Sequence, residues 1–103
     1  MTLSGKEKAA LRAEAHHLTA IVHLGKEGVT PTLVQSLDDA LRTRELVKIQ
    51  LGRTVEAKPK DLAHELAGAA GAVVIQVIGR TVTLYRPNPE IEGKVGDTPP
   101  WRR

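Results

Sequence analysis

The chain has 103 residues, enough for one hydrophobic core and too few for two domains of ordinary size. It has no cysteine, which excludes disulfides, thiolate metal sites and a cysteine nucleophile. Its aromatic content of 2% argues against recognition of RNA by bases stacked on an aromatic sheet. The net charge of +3 weakly favours an anionic partner. No stretch has the length and apolarity of a membrane span or a signal peptide, so we expect a soluble, cytoplasmic protein without a membrane partner.

The first predicted helix begins at a capping box, in which Ser4 is followed three residues later by Glu7, and it extends to His17. Its apolar side is formed by residues at helical spacing, Leu11, Ala15 and Leu18. A basic stripe lies beside that side and consists of Lys8, Arg12 and His16. The stripe is either an ordinary solvated face or part of a surface for an anionic ligand.

Residues 20–24 are short, apolar and partly β-branched, which predicts a strand. The strand leads into a glycine-bracketed loop, Gly25-Lys26-Glu27-Gly28, and then into Thr30-Pro31, which predicts the N-cap and first position of a helix. Glycines allow a tight turn and a close approach of the backbone to a partner. The loop is therefore either a plain strand-to-helix connector or, with Lys26 and the positive end of a helix dipole, a holder for a phosphate.

The rest of the chain predicts two further helices and three further strands. In the second helix, Asp38, Asp39 and Arg42 lie off the apolar stripe and are expected to be solvated. Residues 45–51 alternate as a strand, residues 52–59 form an exposed connection, and a third helix begins at residue 60 or 61 and ends before a left-handed cap at Gly71. Residues 73–78 and 81–85 form a hairpin, with Gly79-Arg80 as a type II′ turn.

This order, α-β-α-β-α-β-β, places the protein in the α/β class. We expect a single compact domain over residues 1–87, with three helices and a four-stranded mixed sheet. Residues 88–103 have three prolines, two glycines and mixed charges without a periodic pattern, so we expect a disordered tail that includes Trp101.

A search for chemistry finds no catalytic set. The four histidines lack the spacing that places two metal ligands on one helix face, and neither serine lies in a nucleophile elbow. The loop sequence G-K-E-G lacks the lysine-hydroxyl ending of a nucleotide-binding loop. We therefore expect no enzymatic activity, no metal, no cofactor and no small-molecule substrate.

Five segments in this order carry a specific resemblance: L-S-G-K-E-K-A-A-L-R from Leu3, A-H-H-L from Ala15, L-G-K-E-G-V-T from Leu24, E-L-V-K-I from Glu45, and V-I-Q-V-I-G-R-T-V-T-L-Y-R-P from Val74. The chain resembles the YhbY family, the stand-alone bacterial form of the CRM (chloroplast RNA splicing and ribosome maturation) domain. The resemblance implies a fold similar to the C-terminal domain of translation initiation factor three, RNA binding as the activity, and association with precursors of the large ribosomal subunit.

In that family the G-x-x-G loop and basic residues of the first helix are implicated in RNA contact. The candidate residues that follow are Gly25, Lys26, Glu27, Gly28 and Thr30 around the loop, and Lys6, Lys8, Arg12 and His16 on the first helix, with Lys48 and Arg80 as less certain additions. Two positions depart from the family pattern. Ala20 stands where proline is common, and Glu27 neutralises Lys26, so we expect the glycines to act by permitting close backbone approach.

The expected partner is ribosomal RNA or a precursor of the large subunit, bound by a monomer that assists ribosome assembly. Two alternatives stay open. The protein could bind another structured RNA, such as an intron or a small RNA, or it could dock on a ribosomal protein through an exposed sheet face that includes Leu46.

Overall fold

The structure, a computed structural model, describes residues 3–88. Its helices are α1 (Gly5–Ala15), α2 (Pro31–Arg44) and α3 (Pro59–Ala70), and its strands are β1 (Val22–Leu24), β2 (Leu46–Leu51), β3 (Val73–Ile78) and β4 (Thr81–Tyr85). The predicted α/β class, element order and four-stranded mixed sheet are confirmed. Apart from Asn88, the predicted tail lies outside the described residues.

The sheet has the strand order β1-β2-β4-β3. β1 and β2 are parallel and are joined through α2, whereas β4 lies antiparallel between β2 and β3. The ends of β1 and β2 therefore meet the β3–β4 hairpin turn at one edge of the domain. We call this edge the loop end. It consists of the Gly25–Gly28 loop, the Gly52–Val55 turn and the Gly79–Arg80 turn.

One face of the sheet packs against α2 and α3. The alternation of β2 directs Val47, Ile49 and Leu51 to this face, where all three are buried. The apolar stripes of the two helices complete this core with Leu37, Leu41, Leu62, Ala63, Leu66, Ala67 and Ala70. The small alanines of α3 let that helix lie close to the strands. Gly71 ends α3 in the predicted left-handed conformation, with φ of 65°.

The opposite face is covered by α1 over only part of its area. Leu11 and Ala15 pack there on Leu46, Ile75 and Tyr85. A β-bulge inserts Ile75 between the paired residues of β3, which adds an apolar side chain to this small core. The rest of the face carries the exposed Ile78 and the polar strand residues Lys48, Gln50, Gln76, Thr81 and Thr83, of which Thr83 is buried. We call this uncovered area the open sheet face.

Two expectations about apolar residues are wrong. Leu46 is 2% exposed under α1, so it cannot belong to an exposed docking face. Leu18 was expected on the apolar side of the first helix, but α1 ends at Ala15 and Leu18 is 36% exposed. The helix ends early because His17 and Leu18 turn back to bond the carbonyls of Glu14 and Ala15.

Smaller differences concern element boundaries. The first strand begins at Val22 rather than residue 20, although the Ile21 N–H already bonds the Lys48 carbonyl, at 3.2 Å. α3 begins at Pro59, one residue before the predicted range, because proline suits the first position of a helix. In the connection before it, Val55 is buried in the core rather than exposed.

The end of the domain opposite the loop end is held by a polar cluster. The Arg86 guanidinium donates to the Asp38 carboxylate at 2.8 Å and to the Ala70 carbonyl at 2.7 Å. Glu45, which is fully buried, caps α2 with φ of 64°, and its carboxylate accepts the Asn88 N–H. We call this cluster, Asp38, Glu45, Arg86 and Asn88, the pinned end. The helical pattern predicts a solvated Asp38, but in the structure its carboxylate is paired with Arg86.

Candidate nucleic-acid interface

The glycine loop between β1 and α2 is a tight turn closed by its own backbone. The Gly28 N–H donates to the Gly25 carbonyl at 3.0 Å. Gly28 has φ of 75°, where a side chain is strained, whereas a Cβ at Gly25 would meet no atom within 4 Å. Glycine thus occupies the two positions for different reasons. Gly28 shapes the turn, and Gly25 leaves open space beside the backbone.

The start of α2 supplies the neighbouring donors. Thr30 acts as the predicted N-cap, and its hydroxyl accepts the Leu33 N–H at 3.1 Å. Within residues 3–88, the backbone N–H groups of Lys26, Glu27 and Thr32 have no acceptor. The Gly28 N–H, by contrast, is bonded inside the turn, so the loop offers fewer donors than its glycine content suggests.

An open cleft of about 640 Å³ lies between the loop and the first turns of α2. Besides the loop and Thr30, it is lined by His23, Thr32 and Ser36, which sequence reasoning did not single out. The sequence contains a pattern that could have indicated each of them. His23 alternates with the buried Val22 and Leu24, and the two hydroxyl residues are four apart on α2. The cleft therefore combines Lys26 with hydroxyl, imidazole and backbone donors.

The cations of α1 carry no internal ion pairs. The described residues contain two ion pairs, Arg42 with Asp39 and Arg86 with Asp38. Lys6 and Lys8 are exposed and Arg12 is half-buried, and no carboxylate in the described range pairs with any of them or with Lys26. These charges are therefore available to an external anion.

The open sheet face connects α1 with the loop. Lys48 extends from β2 to the end of α1, where its Nζ donates to the Ala15 carbonyl at 3.1 Å. A small cleft of about 130 Å³ is formed there by His16, Lys48, Gln76, Ile78, Thr81 and Thr83. On β1, His23 points to the same face and also lines the loop cleft. His16 and Lys48 thus share one cleft on the open sheet face, and His23 lies between that face and the loop cleft.

Arg80 has a different surrounding from the other candidates. Its guanidinium donates to the carbonyls of Gly52, at 2.5 Å, and Val55, at 2.9 Å. The side chain is half-buried and its Nε is enclosed. Arg80 is therefore engaged with the Gly52–Val55 turn, while the predicted cations of α1 and the loop are not engaged within the fold.

Other kinds of site find no support in the described range. No three His, Asp or Glu side chains in residues 3–88 come together in a way that could hold a metal ion. Among the same residues, no helix has the length and apolar character needed to cross a membrane.

Comparisons with known proteins identify a matching family and several similar proteins. A model of the CRS1 / YhbY (CRM) domain matches residues 3–86. The Bacillus subtilis protein named "Probable RNA-binding protein YqeI" is 38% identical over 88 residues, which cover 85% of this chain and 92% of that protein. "Probable RNA-binding protein MJ0652" of Methanocaldococcus jannaschii is 38% identical over 87 residues, 82% of this chain and 64% of that protein.

A solved structure is also similar. The solution structure of the Staphylococcus aureus protein SAV1595, described as hypothetical and as a candidate RNA-binding protein, superposes with a TM-score of 0.73. The two sequences are 34% identical, and the match covers 84% of this chain and 91% of that one. Both the fold and the sequence pattern are therefore shared with relatives that are named for RNA binding.

Proposed function

The chain belongs to the CRS1 / YhbY (CRM) domain family, and from this premise we propose that it is a non-catalytic, cytoplasmic RNA-binding protein. Its partner in the proposal is the RNA of the precursor large ribosomal subunit, whose assembly it assists as a monomer. The observation that carries the proposal is the distribution of charge. The cations of α1 and the loop have no ion pair in the described range, whereas Arg42 is paired with Asp39 and Arg86 with Asp38.

The loop would hold the RNA backbone. The N–H groups of Lys26, Glu27 and Thr32 and the positive end of the α2 dipole suit a phosphate, and Lys26 adds a full charge. Glu27 lies beside Lys26 and opposes part of that charge. The open space at Gly25 would let a phosphate come close to the backbone.

Helix α1 would bind a second part of the RNA backbone. Lys6, Lys8, Arg12 and His16 extend along this helix towards the open sheet face. Lys48 bonds the Ala15 carbonyl with one of its three N–H groups, so two donors remain for a ligand. The RNA would run from the loop across the open sheet face to α1.

Recognition would depend on RNA shape and phosphate position. Tyr85 is 4% exposed and packs beneath α1, so it cannot stack on a base. The open sheet face of the described chain has amide, hydroxyl and ammonium groups in place of the aromatic platforms that single-strand readers use. We therefore expect preference for a folded RNA with few base-specific contacts.

Sedimentation of a cell extract tests this function. The wild-type protein should migrate with particles slightly lighter than the mature large subunit, and ribonuclease should release it. Lys26→Glu should move the protein to the top of the gradient, because a reversed charge in the loop repels phosphate. Arg44→Glu is the matched control, since Arg44 is exposed, has no ion pair in the described range and lies at the far end of α2.

The other outcomes identify the alternatives. A wild-type protein that stays at the top of the gradient but binds a different structured RNA in pull-downs would contradict the ribosomal role. Migration with particles that ribonuclease does not change would instead indicate a protein contact.

A further inference from the structure

A second turn lies directly against the glycine loop. The Gly52 N–H donates to the Leu24 carbonyl at 2.8 Å, which joins the residue after β2 to the end of β1. A Cβ at Gly52 would lie 3.2 Å from that carbonyl oxygen and 3.8 Å from the Gly25 Cα. Glycine at this position therefore lets the two connections pack backbone to backbone.

The Gly52–Val55 turn is held from three directions. Its own Val55 N–H donates to the Gly52 carbonyl at 3.2 Å, and the Val55 side chain is buried in the core. The guanidinium of Arg80 bridges the Gly52 and Val55 carbonyls. Both bonds come from one nitrogen, Nη2, at the tip of the guanidinium, and the ammonium of the shorter lysine side chain would stop short of that position. The turn is thus fixed relative to both the glycine loop and the hairpin.

Arg53 occupies the tip of this turn. Arg53 directly follows Gly52, the residue that contacts Leu24 and Gly25. The side chain is exposed, and no carboxylate or carbonyl in the described range bonds it. The braced turn fixes the backbone from which Arg53 extends, and its unengaged guanidinium carries a full charge for an oxyanion.

We propose that Arg53 is a further phosphate contact of the RNA surface, and that Arg80 positions it by bracing the Gly52–Val55 turn. This inference rests on the proposed function and extends its surface from the glycine loop to the neighbouring turn. It gives Arg80 an indirect part in binding: Arg80 orients the turn, and Arg53 contacts the phosphate.

Fluorescence anisotropy with domain-sized transcripts of large-subunit ribosomal RNA tests the contact, with the tightest-binding transcript as the probe. Arg53→Ala should weaken binding about three- to tenfold, and the slope of log affinity against log salt should become shallower by about one, as one phosphate contact is lost. Arg44→Ala, the matched control, should change neither quantity. Equal changes in both variants would show a general charge effect and overturn the proposal.

A double variant tests whether Arg80 acts on RNA binding through Arg53. Arg80→Lys keeps the charge but loses the bridge, so it should weaken binding while the folded fraction at the assay temperature, checked by circular dichroism, stays complete. In the Arg53→Ala background, Arg80→Lys should weaken binding by less than it does alone. Independent, multiplicative losses would show that Arg80 does not act through Arg53.

The same series separates this inference from the proposed function. If Lys26→Glu abolishes binding while Arg53→Ala has no effect, the surface stands and Arg53 is not part of it. If the wild-type protein binds no transcript, the proposed function itself fails.

Discussion

The two ends of the sheet use their charged residues in opposite ways. At the pinned end, Arg86 and Asp38 form an ion pair, and the Arg86 guanidinium also bonds the Ala70 and Asp38 carbonyls. At the loop end, Lys26 and Arg53 have no partner in the described part of the chain. Charged groups at the pinned end bond one another, while Lys26 and Arg53 at the loop end are exposed to solvent.

This contrast shows which charged residues stabilise the fold and which are available to a ligand. A cation that is bonded by several carbonyls and a carboxylate stabilises the structure and is costly to withdraw. An exposed cation beside unbonded backbone N–H groups contributes little to folding, since exposed charges interact weakly in water. We therefore expect mutations at the pinned end to alter stability and mutations at the loop end to alter RNA affinity.

The largest effect on stability is expected for Arg86→Ala. The substitution removes three hydrogen bonds, among them one to the Asp38 carboxylate, and leaves the Ala70 carbonyl without this donor. Bonds to charged, partly buried groups indicate a loss of about 2–4 kcal/mol in the free energy of unfolding. Urea denaturation followed by circular dichroism measures the loss, and RNA affinity of the folded variant should stay at the wild-type value.

Arg42→Ala is the control for that substitution. Arg42 also pairs with an aspartate of α2, at 2.9 Å, but both side chains are more than half exposed. We expect a loss of roughly 0.2–1 kcal/mol, as for other solvated pairs. If the two variants lost the same stability, the pinned end would not be a special support of the fold.

A smaller loss of stability is expected in the Gly25–Gly28 loop, and only at one of its two glycines. Gly28→Ala places a side chain at φ of 75° and should cost about 1–2 kcal/mol in the free energy of unfolding. Gly25→Ala meets no neighbouring atom and should change it by no more than about 0.5 kcal/mol. Urea denaturation of both variants distinguishes the two glycines, and equal losses would contradict their different roles.

Gly25→Asp is expected to leave stability nearly intact and to weaken RNA binding by about tenfold, or about 1.4 kcal/mol. The new carboxylate would stand in the open space where a phosphate is proposed to approach the backbone. Gly25→Asn has a similar size without the charge and serves as the control. Wild-type affinity in the aspartate variant, measured by anisotropy, would remove this part of the loop from the interface.

Local patterns predicted most of the fold. The alternation of β2, the capping box of Ser4 and the glycine cap of α3 all depend on neighbours within four residues, and each has the predicted structure. The type II′ turn is consistent with φ of 55° at Gly79, while Arg80 keeps a negative φ. Short-range chemistry is sufficient for such features.

Features that depend on distant residues were not predictable in this way. Arg86 contacts Asp38 from 48 positions away, and the strained conformation of Glu45 is held by bonds from the segment after β4. The Arg80 bridge likewise spans 28 residues. For the interface, residue types indicated Lys26 and the basic stripe. Only the structure shows that His16 and Lys48 share a cleft and that the turn with Arg53 lies beside the loop.

The salt dependence of RNA affinity tests the central claim most directly, namely that unpaired cations at the loop end and on α1 clamp a run of phosphates. The measurement uses wild-type protein and its tightest-binding ribosomal RNA transcript over a series of potassium chloride concentrations. Contact with about four to six phosphates predicts a slope of roughly −3 to −5 for log affinity against log salt. A slope near zero would contradict the account, because binding would then release almost no counterions.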